Sequence, residues 1–247
     1  MRMAKVGGAW IHYEWRGGDG GGGARSAKAP VLVLAHALGT DLRIWEPLAE
    51  ALLGAPVRLL LWDIRGHGLS SLPGPGFAIE DHVADLSGLM DRAGVGRAIL
   101  GGVSIGGMIA LAAAARHPER VAGIVTMASL PRFGSPESWD ERIRLVEERG
   151  LESIADETMA RWFAATTRTC RGDEIVGWRS LFTRSPRDGY LANCRALARA
   201  DIGDDLARIA VLTLLIAGAE DPTCTPAAMS ARLASQIERA RLETVER

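Results

Sequence analysis

The pentapeptide Gly102-Val103-Ser104-Ile105-Gly106 is the part of this sequence whose residue types and spacing suit chemistry best. It follows the apolar run Ala98–Val103 and opens an Ala-rich stretch from Ile105 to His117, so a G-x-S-x-G motif stands between a strand and a helix. A turn that sharp forces its serine into a sparsely populated backbone conformation, and only residues without a β-carbon pack at its flanks. Gly102 and Gly106 fill those places, with Gly101 and Gly107 adding room. The N-terminus of the following helix favours negative charge developing beside Ser104. The chemistry implied is acyl transfer, with Ser104 as nucleophile and the backbone N–H of Ile105 as one oxyanion donor. A second donor is expected from the loop after an early strand, where His36-Ala37-Leu38-Gly39 places the N–H of Leu38. A glycine-rich turn with an incidental serine is the plain alternative.

Such a nucleophile works with an acid and then a histidine later in the chain. Ala219-Glu220-Asp221-Pro222 follows the apolar run Val211–Ala217, and Asp221 is the expected acid because Asp-Pro makes a sharp turn over the sheet edge. No histidine follows it: His12, His36, His67, His82 and His117 all come earlier. His36 reads as a polar strand-end residue bonded to backbone. The base is therefore expected beyond Arg247, in a further stretch of roughly 15–25 residues, a loop and one ordinary helix, with a histidine among its first few. The chain as given is then expected to be nearly inactive, and less stable than an extended form.

Positioning these groups takes a parallel sheet. From Pro30 onward short apolar runs alternate with amphipathic stretches, the pattern of strands covered by helices. Strands are predicted at Val31–Ala35, Val57–Trp62, Ala98–Val103, Val121–Ala128, Val211–Ala217 and Arg241–Val245, after an opening hairpin turning at Gly7-Gly8. Ile79, Val83, Leu86 and Met90 recur at helical spacing, closed by Gly94. Residues 131–200 break the alternation with short helices, predicting a helical cap inserted between 1–130 and 201–247 of the core, over the carboxyl ends of the strands. Gly18 to Gly23 fits G-x-G-x-x-G, but it runs into Pro30 and a strand rather than a helix, and reads as a loop.

Composition narrows the partners. Lys+Arg 29 against Asp+Glu 30 leaves a net charge of -1, so nothing electrostatic calls for nucleic acid or an anionic membrane. A small-molecule substrate is the default. Three cysteines without C-x-x-C spacing argue against a disulfide framework and a structural zinc site, no cofactor cradle is visible, and no apolar run reaches the roughly 18 residues of a spanning helix. A cytoplasmic protein is expected.

In order and spacing, Leu38-Gly39-Thr40-Asp41-Leu42 with Trp45, Asp63-Ile64-Arg65-Gly66-His67-Gly68-Leu69-Ser70, the Ser104 turn and Ala115-Arg116-His117-Pro118-Glu119-Arg120-Val121 resemble the 3-oxoadipate enol-lactonases, α/β-hydrolases of bacterial aromatic catabolism. Within the insertion, Glu137-Ser138-Trp139 with Arg142-Ile143, Arg161-Trp162-Phe163, Gly189-Tyr190, Cys194-Arg195-Ala196-Leu197 and Ala200-Asp201 are similar to the lactonases' cap. Departures are His36-Ala37 in place of the more usual Asn-Ser, the segment Met127 to Arg132, and the absence of the closing histidine block. The resemblance implies an α/β-hydrolase fold without a metal or cofactor, and a five-membered enol-lactone bearing a carboxylate as substrate. Trp162 would line its pocket, and Arg65, Arg132 or Arg161 would meet its carboxylate. Another carboxylesterase, a hydrolase of carbon–carbon bonds, or a non-catalytic relative that keeps the pocket are the competing readings.

Overall fold

A computed structural model describes residues 1–17 and 29–246; the glycine-rich run from Gly18 to Gly23 lies outside them. Strands β1 (Arg2–Val6) and β2 (Ala9–Gly17) form the opening hairpin, with Gly7 and Gly8 at positive φ of 51° and 87°. Two consecutive positive φ angles match the right-handed twist of the strands they join. There follow β3 (Val31–Ala35), α1 (Glu46–Ala51), β4 (Arg58–Trp62), α2 (Ile79–Arg92), β5 (Ala98–Val103), α3 (Ile105–Arg116) and β6 (Val121–Met127). After β6 come α4 (Pro136–Arg149), α5 (Ala155–Trp162), α6 (Ala165–Cys170), α7 (Gly172–Thr183) and α8 (Arg187–Arg199), then β7 (Thr213–Gly218), α9 (Pro226–Met229) and β8 (Ala240–Val245).

The strands make one sheet in the order β1-β2-β4-β3-β5-β6-β7-β8, parallel from β4 to β8 and antiparallel on both sides of β2. The chain leaves β3 for β4 on one side and returns to β5 on the other. The carboxyl ends of β3 and β5 therefore flank the point where strand order reverses, the crevice in which open α/β sheets bind ligands. Period-2 alternation buries both faces: Leu60 and Trp62 of β4 join the core beneath α2 and α3, while Leu59 and Leu61 pack with Leu42, Trp45 and Ala49 on the opposite face.

Four predicted strands shift at their ends; β4 begins at Arg58 and β8 at Ala240, each one residue from its expected start. The strand before Asp221 starts at Thr213, leaving Leu212 exposed. β6 stops at Met127 because Ala128 takes φ 45°, which no strand residue can hold. The helices between β6 and β7 have their own apolar cluster, in which Val146, Leu151, Ile154, Met159, Phe182, Tyr190 and Leu191 are buried. They are seated on the sheet's carboxyl edge. A β-carbon on Gly39 would lie 2.7 Å from the Phe182 ring, and one on Gly189 of α8 would lie 2.0 Å from the Gly66 carbonyl oxygen. Asn193, buried on α8, donates to the carbonyls of Arg65 and Gly189 and accepts from His82 Nε2 at 2.7 Å.

Candidate active site

Ser104 follows β5 directly and has φ 56° and ψ −119°, a conformation that costs a residue with a side chain of order 1–3 kcal/mol. Its surroundings over-determine it. A β-carbon on Gly102 would stand 2.3 Å from the Gly106 carbonyl carbon, and one on Gly106 would stand 2.2 Å from the Ala35 carbonyl oxygen. Ser104 N–H donates to the Met127 carbonyl (2.9 Å), and its own carbonyl accepts from Met108 N–H (3.0 Å) and Ser129 Oγ (2.9 Å). The side chain remains half-buried, and its Oγ has no hydrogen-bond partner among the described residues.

The bare Cα of Gly106 lets the Ala35–His36 backbone lie against the start of α3, so the loop through Leu38 arches beside Ile105. The N–H groups of Leu38 and Ile105 donate to no group among the described residues. The loop is stiffened from below: Gly39 N–H donates to His67 Nε2 (2.9 Å), and Thr40 N–H and Oγ1 both donate to the Ala37 carbonyl.

Asp221 stands just past β7. Its Oδ1 accepts from the N–H groups of Thr223 and Cys224, both at 2.8 Å, a turn that holds the carboxylate half-buried over the edge. Ala128 N–H bonds the Ile216 carbonyl while Ser104 N–H bonds that of Met127, so Ser104 and Asp221 lie along one edge two strands apart. At the usual strand spacing that is roughly 10 Å between backbones.

Each histidine is occupied elsewhere. His36, fully buried, donates from Nδ1 to the Ala37 carbonyl (2.8 Å) and accepts at Nε2 from Ile64 N–H (3.0 Å), so neither nitrogen is left for a serine proton. This bears out its reading as a strand-end residue bonded to backbone. His67 spends Nε2 on Gly39 and His82 spends Nε2 on Asn193. Burial pushes all three pKa values down, outweighing the carboxylates of Asp63 and Asp41 at His36, and brings that of His82 to about 4. His12 Nδ1 pairs with buried Asp63 at 2.7 Å on the far side of the sheet's centre. His117 ends α3, about 18 Å along the helix from Ser104.

The three arginines proposed for an anionic substrate now separate. Arg65 is bound in two places by buried Asp85 and lies over the Phe77 ring. Arg132 faces Asp201 at 3.7 Å on the surface. Arg161 is half-buried, its side chain 30% exposed, and its pKa is lowered by that burial and then by neighbouring Arg142, while Tyr190, Glu157 and Asp221 oppose the shift. Arg142 is the residue that sequence reasoning missed as a site candidate. Its side chain is 16% exposed, it donates to the Tyr190 hydroxyl at 3.1 Å, and it shares with Arg161 one weak partner, Glu157, at 3.8 Å from each. Nothing in its spacing distinguishes it from Arg144, which pairs with Glu148 on the outer face of the same helix. Trp162 makes edge contacts with Phe163 and Phe182, the ring that rests on Gly39.

Residues 30–246 match the family model of the alpha/beta hydrolase fold. This chain belongs to the α/β-hydrolases. Over 201 residues the hydrolase is 31% identical to a 3-oxoadipate enol-lactonase of Acinetobacter baylyi, covering 81% of this chain and 75% of the relative. A putative carbamate hydrolase of Variovorax paradoxus is 29% identical, over 92% of this chain and 84% of its own. The crystal structure of an enol-lactonase from Burkholderia xenovorans superposes with a TM-score of 0.92 at 35% identity, over 99% of the hydrolase and 91% of that chain. Among the described residues no helix is long and apolar enough to cross a membrane.

Proposed function

We propose that this hydrolase uses Ser104 to open a carboxylated enol-lactone, converting 3-oxoadipate enol-lactone to 3-oxoadipate in aromatic catabolism. Ser104 Oγ attacks the lactone carbonyl and gives up its proton, the carbonyl oxygen becomes an oxyanion between the N–H groups of Leu38 and Ile105, and the ring C–O bond breaks. The leaving enolate takes a proton and becomes a ketone. Water then hydrolyses the acyl-serine to a carboxylic acid. Asp221 orients the base, whose expected place after β8 is beside it, since Ala219 N–H bonds the Val245 carbonyl at 3.0 Å. The insertion over 131–200 acts as the cap, with Trp162 on the pocket side. Free Cys170, Cys194 and Cys224 fit a reducing, cytoplasmic setting.

The observation that carries the substrate class is the pair Arg161 and Arg142: two sheltered guanidiniums beside the Asp221 end of the site, with one exposed carboxylate between them. An added carboxylate would complete their bonding, and a charge-assisted contact of that kind is worth about 1.5–3 kcal/mol. The test is the ratio of kcat/KM for the enol-lactone to that for 4-nitrophenyl acetate. Arg161→Met is expected to lower that ratio at least tenfold, through KM, while leaving the neutral ester unchanged. Equal or better turnover of aryl esters by the wild type would remove the lactone assignment.

One observation favours a second reading. The ring nitrogens of His36 and His67 that could take a proton already accept from the N–H groups of Ile64 and Gly39, which fits a pocket protein that binds the lactone without opening it. Saturable lactone binding with no turnover and no fluorophosphonate labelling of Ser104 would decide for it.

A further inference from the structure

The segment just after β6 takes no part in the chemistry above, yet its conformation is costly. Ala128 holds φ 45°, a left-handed conformation unfavourable for a residue with a β-carbon. The result is a reversal that sends Ser129, wholly buried, beneath the start of α3, where its Oγ donates to the Ser104 carbonyl at 2.9 Å. Space is made by Gly107, where a β-carbon would stand 2.8 Å from Ser129 Oγ and 2.1 Å from Thr126 Oγ1.

The Ser104 carbonyl and the Ile105 N–H belong to one planar trans peptide and point in opposite directions from it. Fixing the oxygen therefore fixes the hydrogen. The helical bond from Met108 N–H holds that oxygen along the axis of α3, and the Ser129 hydroxyl supplies a second point of attachment from the β6 side. A hydrogen bond accepted by an amide oxygen also polarises the amide and strengthens its N–H as a donor. We infer that Ser129 is a positioning residue that sets the Ser104–Ile105 peptide plane and holds the Ile105 N–H toward the oxyanion. This rests on the reading of Ile105 as an oxyanion donor and adds the group that aims it.

The test uses the full chain labelled with nitrogen-15. In Ser129→Ala the Ile105 amide proton is expected to move upfield and its signal to broaden, and phosphorylation of Ser104 by diisopropyl fluorophosphate, with loss of fluoride, to slow about five- to tenfold, the worth of one hydrogen bond. Binding of 3-oxoadipate, whose carboxylates need no oxyanion hole, should be unchanged. Ser129→Thr, which keeps the hydroxyl, should restore both the signal and the rate, separating aim from packing. An Ile105 signal identical in wild type and Ser129→Ala overturns the inference, as does a loss in Ser129→Ala that Ser129→Thr fails to recover. A wild type that is never phosphorylated at Ser104 by the reagent counts against the nucleophile reading instead, because the Ile105 signal reads the tether in the free protein.

Discussion

The two ends of the candidate site are built to different tolerances. Around Ser104 the backbone of three strand ends meets at distances that admit no β-carbon, and the amides of Ser104, Gly39 and Thr40 are all bonded. At Asp221 the contacts are ordinary: a β-carbon on Gly218 would lie 3.8 Å from Asp221 Cβ, the acid sits in a short turn, and β8 beside it is half-exposed, with Val245 on the surface. The contrast teaches which half of the chemistry depends on rigidity. Stabilising an oxyanion requires donors already fixed where charge will develop, whereas a carboxylate that orients a base acts through a charge and one hydrogen bond.

The largest expected effect breaks the comparison at its centre. Ser104→Ala should abolish fluorophosphonate labelling and any ester turnover, with the folded state intact by circular dichroism; labelling at another serine would refute the assignment. Next comes Gly106→Ala, which drives a methyl group against the Ala35 carbonyl, where no flexible side chain can give way. Overpacking of this kind costs about 1–3 kcal/mol or more, so the urea midpoint should fall clearly and labelling of Ser104 should be lost with it.

The buried histidines lie beneath the tight half, and they make its stability depend on pH. His82 titrates near 4 in the folded protein against about 6.5 unfolded, because burial disfavours its charge. The unfolded chain therefore binds the extra proton between those values, and stability falls as pH drops through that window, by about 2 kcal/mol at pH 5 for this residue alone. His36 and His67 are lowered too and add to the same slope. His82→Gln should flatten the difference in unfolding free energy between pH 7 and pH 5, read from urea denaturation at each pH. The smallest effect sharpens the comparison from the other side: Gly218→Ala should shift stability by less than about 1 kcal/mol and leave labelling of Ser104 as it was, since the added methyl meets only ordinary contacts.

Much of this was legible in the sequence because it was local. Apolar runs of five or six residues are strands wherever both faces are covered, and β3, β5 and the start of α3 fall where the pattern puts them. Strand ends were less legible: Leu212 is apolar but exposed, and only backbone angles stop β6 before Ala128. At the site, glycines flanking Ser104 announce a tight turn, yet nothing local says which backbone they admit. Arg142 entered only as part of a cap motif, with nothing in its spacing to set it apart from its surface neighbour Arg144, and Ser129 reads as an ordinary serine after a strand.

By itself, then, the sequence determined the elements and the residue types that could react, because helix and strand periodicity and the glycine requirement of a sharp turn act over a few neighbours. Only the tertiary structure decided which of three arginines stays sheltered and short of a partner, that His36 has no nitrogen left for proton transfer, and that a hydroxyl just past the end of β6 reaches the peptide behind Ser104. Those outcomes depend on contacts between groups far apart in the chain, 28 residues for Ile64 and His36 and 69 for Arg132 and Asp201. Such pairings are chosen by the packing of the sheet, which no single segment encodes.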